Sequence, residues 1–196
     1  MTTKKTVVVP GLVVDDELYA AAASGIAEHV PQLHLTWERF TAPRSWWLIP
    51  EADGVMSKAE LTLAKGADLT VKLNIWYRPD LRGMPHNHPW RRFVGNVLAG
   101  GYTENRWVHD ADRGRVVDQL GVEHTTGAGN VVDKAVFHEV CEVHDPGRTL
   151  SLMVCDAGVR GDWGYLDDSG RYLHHSTQPV EGFEQMLADL NPHQNR

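Results

Sequence analysis

Two histidines one residue apart, His86 and His88 in Met84-Pro85-His86-Asn87-His88-Pro89-Trp90, are answered much further along the chain by His138 in Val136-Phe137-His138-Glu139-Val140. Successive side chains of an extended strand point to opposite faces, so His86 and His88 share a face and both imidazoles can reach one ion. His138 sits in an apolar stretch of β-formers, where a charged imidazolium would be costly and a neutral, metal-bound ring fits better. The three histidines together predict a metal site. Imidazoles carry no charge, so a divalent ion held by them keeps its full +2 and retains open positions for water, substrate or dioxygen. The other single histidines, His29, His34, His109, His124, His144 and His193, read as satisfied core or surface residues. The neighbours His174 and His175 would face oppositely on a strand, and they read as a solvated turn.

Short runs of β-branched and aromatic residues must position these side chains. They cover 69–77, 84–90, 93–99, 102–108, 115–120, 130–132, 135–143 and 149–155, punctuated by turns such as Gly100-Gly101, Gly127-Ala128-Gly129 and Asp145-Pro146-Gly147. Regular strands with turns at this spacing predict an all-β sandwich or barrel. Asp167-Asp168-Ser169-Gly170 reads as a hairpin turn. Residues 6–14 read as a β-rich edge strand interrupted by Pro10-Gly11, and Asp15 and Asp16 as N-caps of a helix running to about Glu28. Trp46 to Ile49 resembles a strand, while 57–63 is compatible with a short helix or a strand. A closing amphipathic helix follows Pro179, with Phe183, Met186, Leu187 and Leu190 at helical spacing. Both helices are expected outside the barrel.

Around the histidines, strand alternation directs Trp90 inward. Tyr102, Glu104 and Arg106 alternate on the next strand, either as hydrogen-bond partners of the metal-bound histidines or as a polar outer face. Tyr102, Glu104 and Arg92 are the candidate catalytic residues. Arg92, with Arg44, Lys72 and Arg91, is also a candidate partner for a substrate carboxylate. The remaining tryptophans, Trp37, Trp46, Trp47, Trp76, Trp107 and Trp163, read as core or lid packing.

The pattern resembles the cupin superfamily, whose motifs read Gly-x5-His-x-His-x(3,4)-Glu-x6-Gly and Gly-x5-Pro-x-Gly-x2-His-x3-Asn. From His88 the first spacing runs through Phe93 to Gly100, and Gly127, Asp133, Ala135 and Glu142 fall at the other places of the second around His138. The resemblance implies a double-stranded β-helix barrel over about residues 69–175, within one cupin domain spanning the chain, with extensions at about 6–68 and 179–190. Phe93 stands where the family's glutamate ligand would be, which implies a three-histidine site, as in cysteine dioxygenases. Those enzymes carry Ser-x-His-x-Tyr after the third ligand, whereas this chain has Ser151-Leu152-Met153-Val154-Cys155, so cysteine is a doubtful substrate. Trp90, Phe93, Met153 and Cys155 are then the candidate substrate pocket. Further matches, in His86 to Trp90, Gly100 to Glu104 and Asp162 to Tyr165, resemble small bacterial and phage cupins without an assigned function.

The implied activity is a mononuclear non-heme Fe(II) oxygenase or dioxygenase acting on a small organic substrate, carboxylate- or amino-acid-like. A cupin isomerase, decarboxylase or lyase using Zn, Ni or Mn as a Lewis acid is the alternative, and a non-catalytic ligand-binding barrel a third. Homodimerisation is expected by resemblance alone. With 196 residues and a net charge of -7 spread along the chain, neither nucleic acid nor an anionic membrane surface is an expected partner. No long apolar run or signal peptide is evident, which predicts a cytoplasmic protein. Cys141 and Cys155 are expected as reduced thiols filling small core positions.

Overall fold

The computed structural model describes residues 4–80, 84–110, 112–177 and 180–195, with only the backbone of Arg115 and Asn195. Met1 to Thr3 and Pro179, where the closing helix was expected to start, lie outside the described residues.

The chain opens on an antiparallel hairpin of β1 (Lys5–Val9) and β2 (Leu12–Asp15), where a single interrupted edge strand was expected. Pro10 has no N–H to continue a ladder, and Gly11, at φ 88°, adopts a backbone that other residues resist. Asp15 then caps α1 (Asp16–His29), accepting a 2.9 Å hydrogen bond from the Leu18 backbone N–H. Arg148 pairs with both Asp15 and Glu17, tying the start of this helix to the barrel. A short α2 (Trp37–Thr41), not anticipated, precedes β3 (Trp46–Pro50) and β4 (Met56–Lys65). The ambiguous 57–63 segment is therefore strand: Ser57, Ala59, Leu61 and Leu63 are buried on one face, while Lys58 and Glu60 lie on the other.

The barrel strands are β5 (Thr70–Trp76), β6 (Arg92–Ala99), β7 (Gly101–Asp110), β8 (Gly114–Thr125), β9 (Gly129–Asp133), β10 (Val136–Val143) and β11 (Thr149–Cys155). They form a large sheet ordered β3-β4-β5-β11-β6-β9, facing a smaller one ordered β10-β7-β8. The 84–90 segment joins the smaller sheet beside β10 through the His86–His138 bridge. From β5 onward the chain passes between the sheets in a jelly-roll order: large, small, large, small twice, large, small, large. This is the double-stranded β-helix of the cupin fold. A second hairpin, β12 (Gly164–Leu166) and β13 (Tyr172–His174), turns at 167–170 as expected, and α3 (Phe183–Leu190) follows.

One expected strand is not a regular ladder. Residues 84–90 make only isolated bridges, at His86 and Trp90, because Pro85 and Pro89 have no N–H to donate.

The two faces of the large sheet serve different purposes. Val71, Leu73 and Ile75 of β5, with Leu150 and Leu152 of β11, face outward and pack beneath Leu18, Ala22 and Ile26 of α1. Each such leucine contributes about 1.5–3 kcal/mol on burial. Most of the apolar core therefore lies between the barrel and its N-terminal cover, leaving the interior free to hold polar groups. Helix α3 packs on β3 with Phe183, Met186, Leu187 and Leu190 half-buried. Just beyond it the Asn191 amide both accepts from and donates to the Leu48 backbone, at 2.7 and 2.8 Å. Among the described residues, no helix is long and apolar enough to cross a membrane. Cys155 is buried as expected, but Cys141 is exposed, because it falls on the outer face of β10 where a bulge follows Val140.

Candidate metal centre

His86 and His88 are held on a short extended segment that is braced on both sides. The His86 N–H donates to His138 C=O and the His138 N–H to His86 C=O, each at 2.9 Å, so two of the histidines share one backbone bridge. Asn87 points away and is buried. Its Oδ1 accepts from the Gly164 N–H at 2.8 Å and its Nδ2 donates to Lys134 C=O, clamping the segment to β12. The outcome is the alternation read from the sequence, with two imidazoles on one side and a structural amide on the other.

The three rings form a nearly equilateral triangle, with centroids 5.0, 4.9 and 5.1 Å apart, and their ligand atoms lie within 4.8 Å of one another. His88 Nε2 and His138 Nε2 are 2.9 Å apart. Nitrogens about 2.1 Å from one ion sit about 3.0–3.4 Å apart for ordinary ligand angles, so this donor set fits a divalent ion with little adjustment. Burial, followed by the neighbouring His86 and His138, pushes the His88 imidazole well below its usual range, keeping it a neutral donor.

Glu104 sets the orientation of the third ligand. This fully buried carboxylate on β7 lies 2.9 Å from His138 Nδ1, which directs the Nδ1–H to Glu104 and leaves the Nε2 lone pair for the ion. Glu104 also meets His124 Nε2 at 3.2 Å, Arg106 Nε at 2.5 Å and Asn130 Nδ2 at 3.1 Å. Burial alone would raise its pKa, but the hydrogen bonds from His124 and His138, with the Arg106 charge, outweigh it and hold the carboxyl well below the usual range. Tyr102 is tied to this network through its hydroxyl, which accepts from Asn130 Nδ2 at 2.8 Å, and burial raises its phenol above the usual value. In the sequence His124 reads as a bystander and Asn130 carries no signal. Both reach Glu104 only through the β7–β8 pairing and the approach of β9.

The triad lies between two spaces. A small pocket of about 20 Å³ is walled by the three histidines with Phe93, Met153 and Ser151, among others, and holds little more than one ion or water. His86, His88, Lys58 and Asp80 also line a larger cavity of about 760 Å³, within the range of small-molecule sites. Trp90 lines the larger cavity and stacks on His88, with centroids 5.5 Å apart and planes 22° apart. Trp163 lines it too, stacked on His175 at 5.1 Å, so His175 belongs to the cavity wall and not to a solvated turn.

The other candidates separate by place along the strand or by strand face. Met153 is in the small pocket, whereas Cys155 lies buried behind it with its thiol pushed up to about 12 by desolvation. Arg92 alternates with inward Phe93, so it faces out, where Nε donates to Asp133 Oδ1 at 2.7 Å in an exposed ion pair. Arg44 and Arg91 are likewise exposed; of the four basic candidates, Lys72 reaches the cavity.

Phe93 meets His88 edge-on at 4.8 Å and His138 at 5.8 Å, within the small pocket. Phe93→Glu is accordingly expected to place a carboxylate beside the ion. The metal-free variant should be less stable, from burying that charge, while divalent-metal affinity rises about tenfold or more and shifts toward Mn(II). Calorimetric titrations with Zn(II) and Mn(II) check this, and unchanged affinities in a folded variant would place the side chain elsewhere.

No protein-family model matches the chain, and no curated protein resembles it closely enough in sequence to be matched. Its fold is similar to that of several solved structures, all remote. KdgF from Halomonas sp. is 13% identical, over 53% of this chain and 82% of that one, with a TM-score of 0.38. A cupin superfamily protein from Desulfitobacterium hafniense DCB-2 is 10% identical over 51% and 77%, at 0.37. Hydroxypropylphosphonic acid epoxidase from S. wedmorenis is 14% identical over 58% and 56%, at 0.39. The double-stranded β-helix itself is read from the strand order of this chain.

Proposed function

We propose that this chain is a metal-dependent enzyme in which His86, His88 and His138 hold Fe(II), and that it uses dioxygen on a small organic substrate bound in the adjoining cavity. The observation that carries the reading is the convergence of three imidazoles, with no carboxylate among the donors, beside a substrate-sized cavity that His86 and His88 line. The bound ion would supply a redox-active Lewis acid with its full charge. The protein's own groups do the rest. Glu104 keeps the His138 proton on Nδ1. Phe93 and Met153 wall the inner pocket, leaving room for little beyond the ion, and Trp90 braces His88 while offering its face to the cavity.

Imidazole ligation serves Zn(II) and Ni(II) as well, so Lewis-acid isomerisation, decarboxylation or lyase chemistry is the competing reading. Oxygen dependence separates the two. Anaerobically iron-loaded protein should bind nitric oxide, an oxygen surrogate, with a new electron spin resonance signal that carboxylate substrates perturb. Compounds that perturb it should be consumed with oxygen uptake and no flavin, nicotinamide or 2-oxoglutarate. Equal turnover with Zn(II) under argon would overturn the oxygenase reading in favour of the Lewis-acid one.

A further inference from the structure

Opposite the histidines, the cavity wall carries charges in an unusual setting. Lys58 and Glu60 of β4 and Lys72 of β5 all face inward, and Glu60 lies between the two ammonium groups, 3.5 Å from Lys58 Nζ and 2.9 Å from Lys72 Nζ. Their side chains are only 16–22% exposed. Two cations against one anion leave a net positive charge in a poorly hydrated place, which favours an incoming anion. The charges persist at neutral pH: burial opposes both, but the two lysines lower Glu60 to about 2, and Glu60 raises Lys72.

A second observation is independent of these charges. Asn74, between inward-facing Lys72 and Trp76 on β5, is fully buried, and both polar atoms of its amide lack a hydrogen-bond partner among the described residues. Its register partners are Glu60 on one side and Ser151 on the other, so it sits directly beside the charged cluster. A buried orphan amide is rare enough to require an explanation; Asn74 lies behind the residues that line the cavity, and an accepting oxygen there would satisfy its Nδ2 alone. Nearby flat surfaces indicate what that group is attached to. Lys72 Nζ stands 5.5 Å from the Trp90 ring centre and Lys58 Nζ 4.9 Å from that of Trp76. Glu51, Asp80, Asp156 and Glu184 also line the cavity, with Asp80 accepting from the Val140 N–H and Asp156 from the Arg92 N–H, so the excess of positive charge is local to the Lys58, Glu60 and Lys72 cluster.

Building on the proposed substrate cavity, we infer that Lys58 and Lys72, with the Asn74 amide buried behind them, form an anion-binding wall that holds the carboxylate of a flat, apolar-bodied monoanion against Trp90. Glu60 is the internal counter-charge that tunes this wall. It holds the two lysines in place and limits how strongly they bind an anion.

The test uses the Zn(II)-loaded protein, which cannot support dioxygen chemistry, with benzoate and its neutral isostere benzamide as probes. Binding is followed by tryptophan fluorescence. Wild-type protein should bind benzoate about tenfold or more tightly than benzamide. Because a carboxylate also has affinity for the ion itself, two variants separate the wall's contribution from the ion's. Lys72→Met should lose most of the preference. Glu60→Gln, which removes the counter-charge, should strengthen benzoate binding roughly three- to tenfold and leave benzamide unchanged. An absence of benzoate binding, equal affinity for the two probes, or a folded Glu60→Gln with no gain for benzoate would overturn the inference. Oxygen plays no part in these measurements, so their failure leaves the oxygenase reading standing, and failure of that reading leaves this wall intact.

Discussion

Glu104→Gln is expected to lose about 3–5 kcal/mol of unfolding free energy and to bind its divalent ion roughly 10- to 100-fold more weakly. The substitution preserves shape and removes charge, so what it tests is the charge. Glu104 is fully buried, and its two oxygens are shared among the Arg106 guanidinium, the rings of His124 and His138, and the Asn130 amide. A glutamine brings one accepting oxygen and an NH2 that competes as a donor with four groups already needing acceptors. The Arg106 guanidinium, only 13% exposed, is then left without its counter-ion, the costly way to break a buried pair. The metal effect has a separate origin. Without a carboxylate on Nδ1, His138 can place its proton on Nε2, the nitrogen that faces His88, and a protonated Nε2 cannot donate a lone pair. Denaturant unfolding of the metal-free protein measures the first effect and competitive metal titration the second. A variant within about 1 kcal/mol of wild type and unchanged in affinity would show that this network is incidental.

What could be read in the sequence follows from how local each signal is. The pairing of His86 with His88 depends only on strand alternation, and the structure places both rings on the cavity side despite replacing a regular strand with isolated bridges. The barrel was legible because β-branched and aromatic runs from Leu69 onward are separated by glycine-bearing turns. Residues 32–68 were hard to read for a compositional reason. Met56 to Lys65 combines period-2 burial with Ala, Glu, Leu and Lys, all strong helix formers, so propensity and pattern disagreed. Tertiary burial decided for the strand. That ambiguity hid Lys58 and Glu60, whose inward orientation exists only once β4 is extended. His124 was hidden differently: it joins Glu104 through the pairing of β8 with β7, which carries register shifts between Glu104 and the hairpin turn, so counting outward from the turn does not place it opposite Tyr102. Arg92 and Lys72 look alike in the sequence because charge alone does not reveal strand face. Alternation from Phe93 sends one out to solvent, and alternation within β5 brings the other in.

The central claim is that His86, His88 and His138 constitute one metal site, and His138→Ala tests it most directly. Removing this imidazole deletes one of three protein ligands and takes away the ring that faces His88 Nε2, while the fold retains the large apolar cluster outside the barrel. Protein purified after exposure to Fe(II) or Zn(II) should be measured by elemental analysis beside the wild type, with circular dichroism confirming that both are folded. About one ion per chain is expected in the wild type, and a small fraction of that in His138→Ala with the β spectrum largely retained. Near-stoichiometric metal in a folded His138→Ala protein would contradict the three-histidine centre.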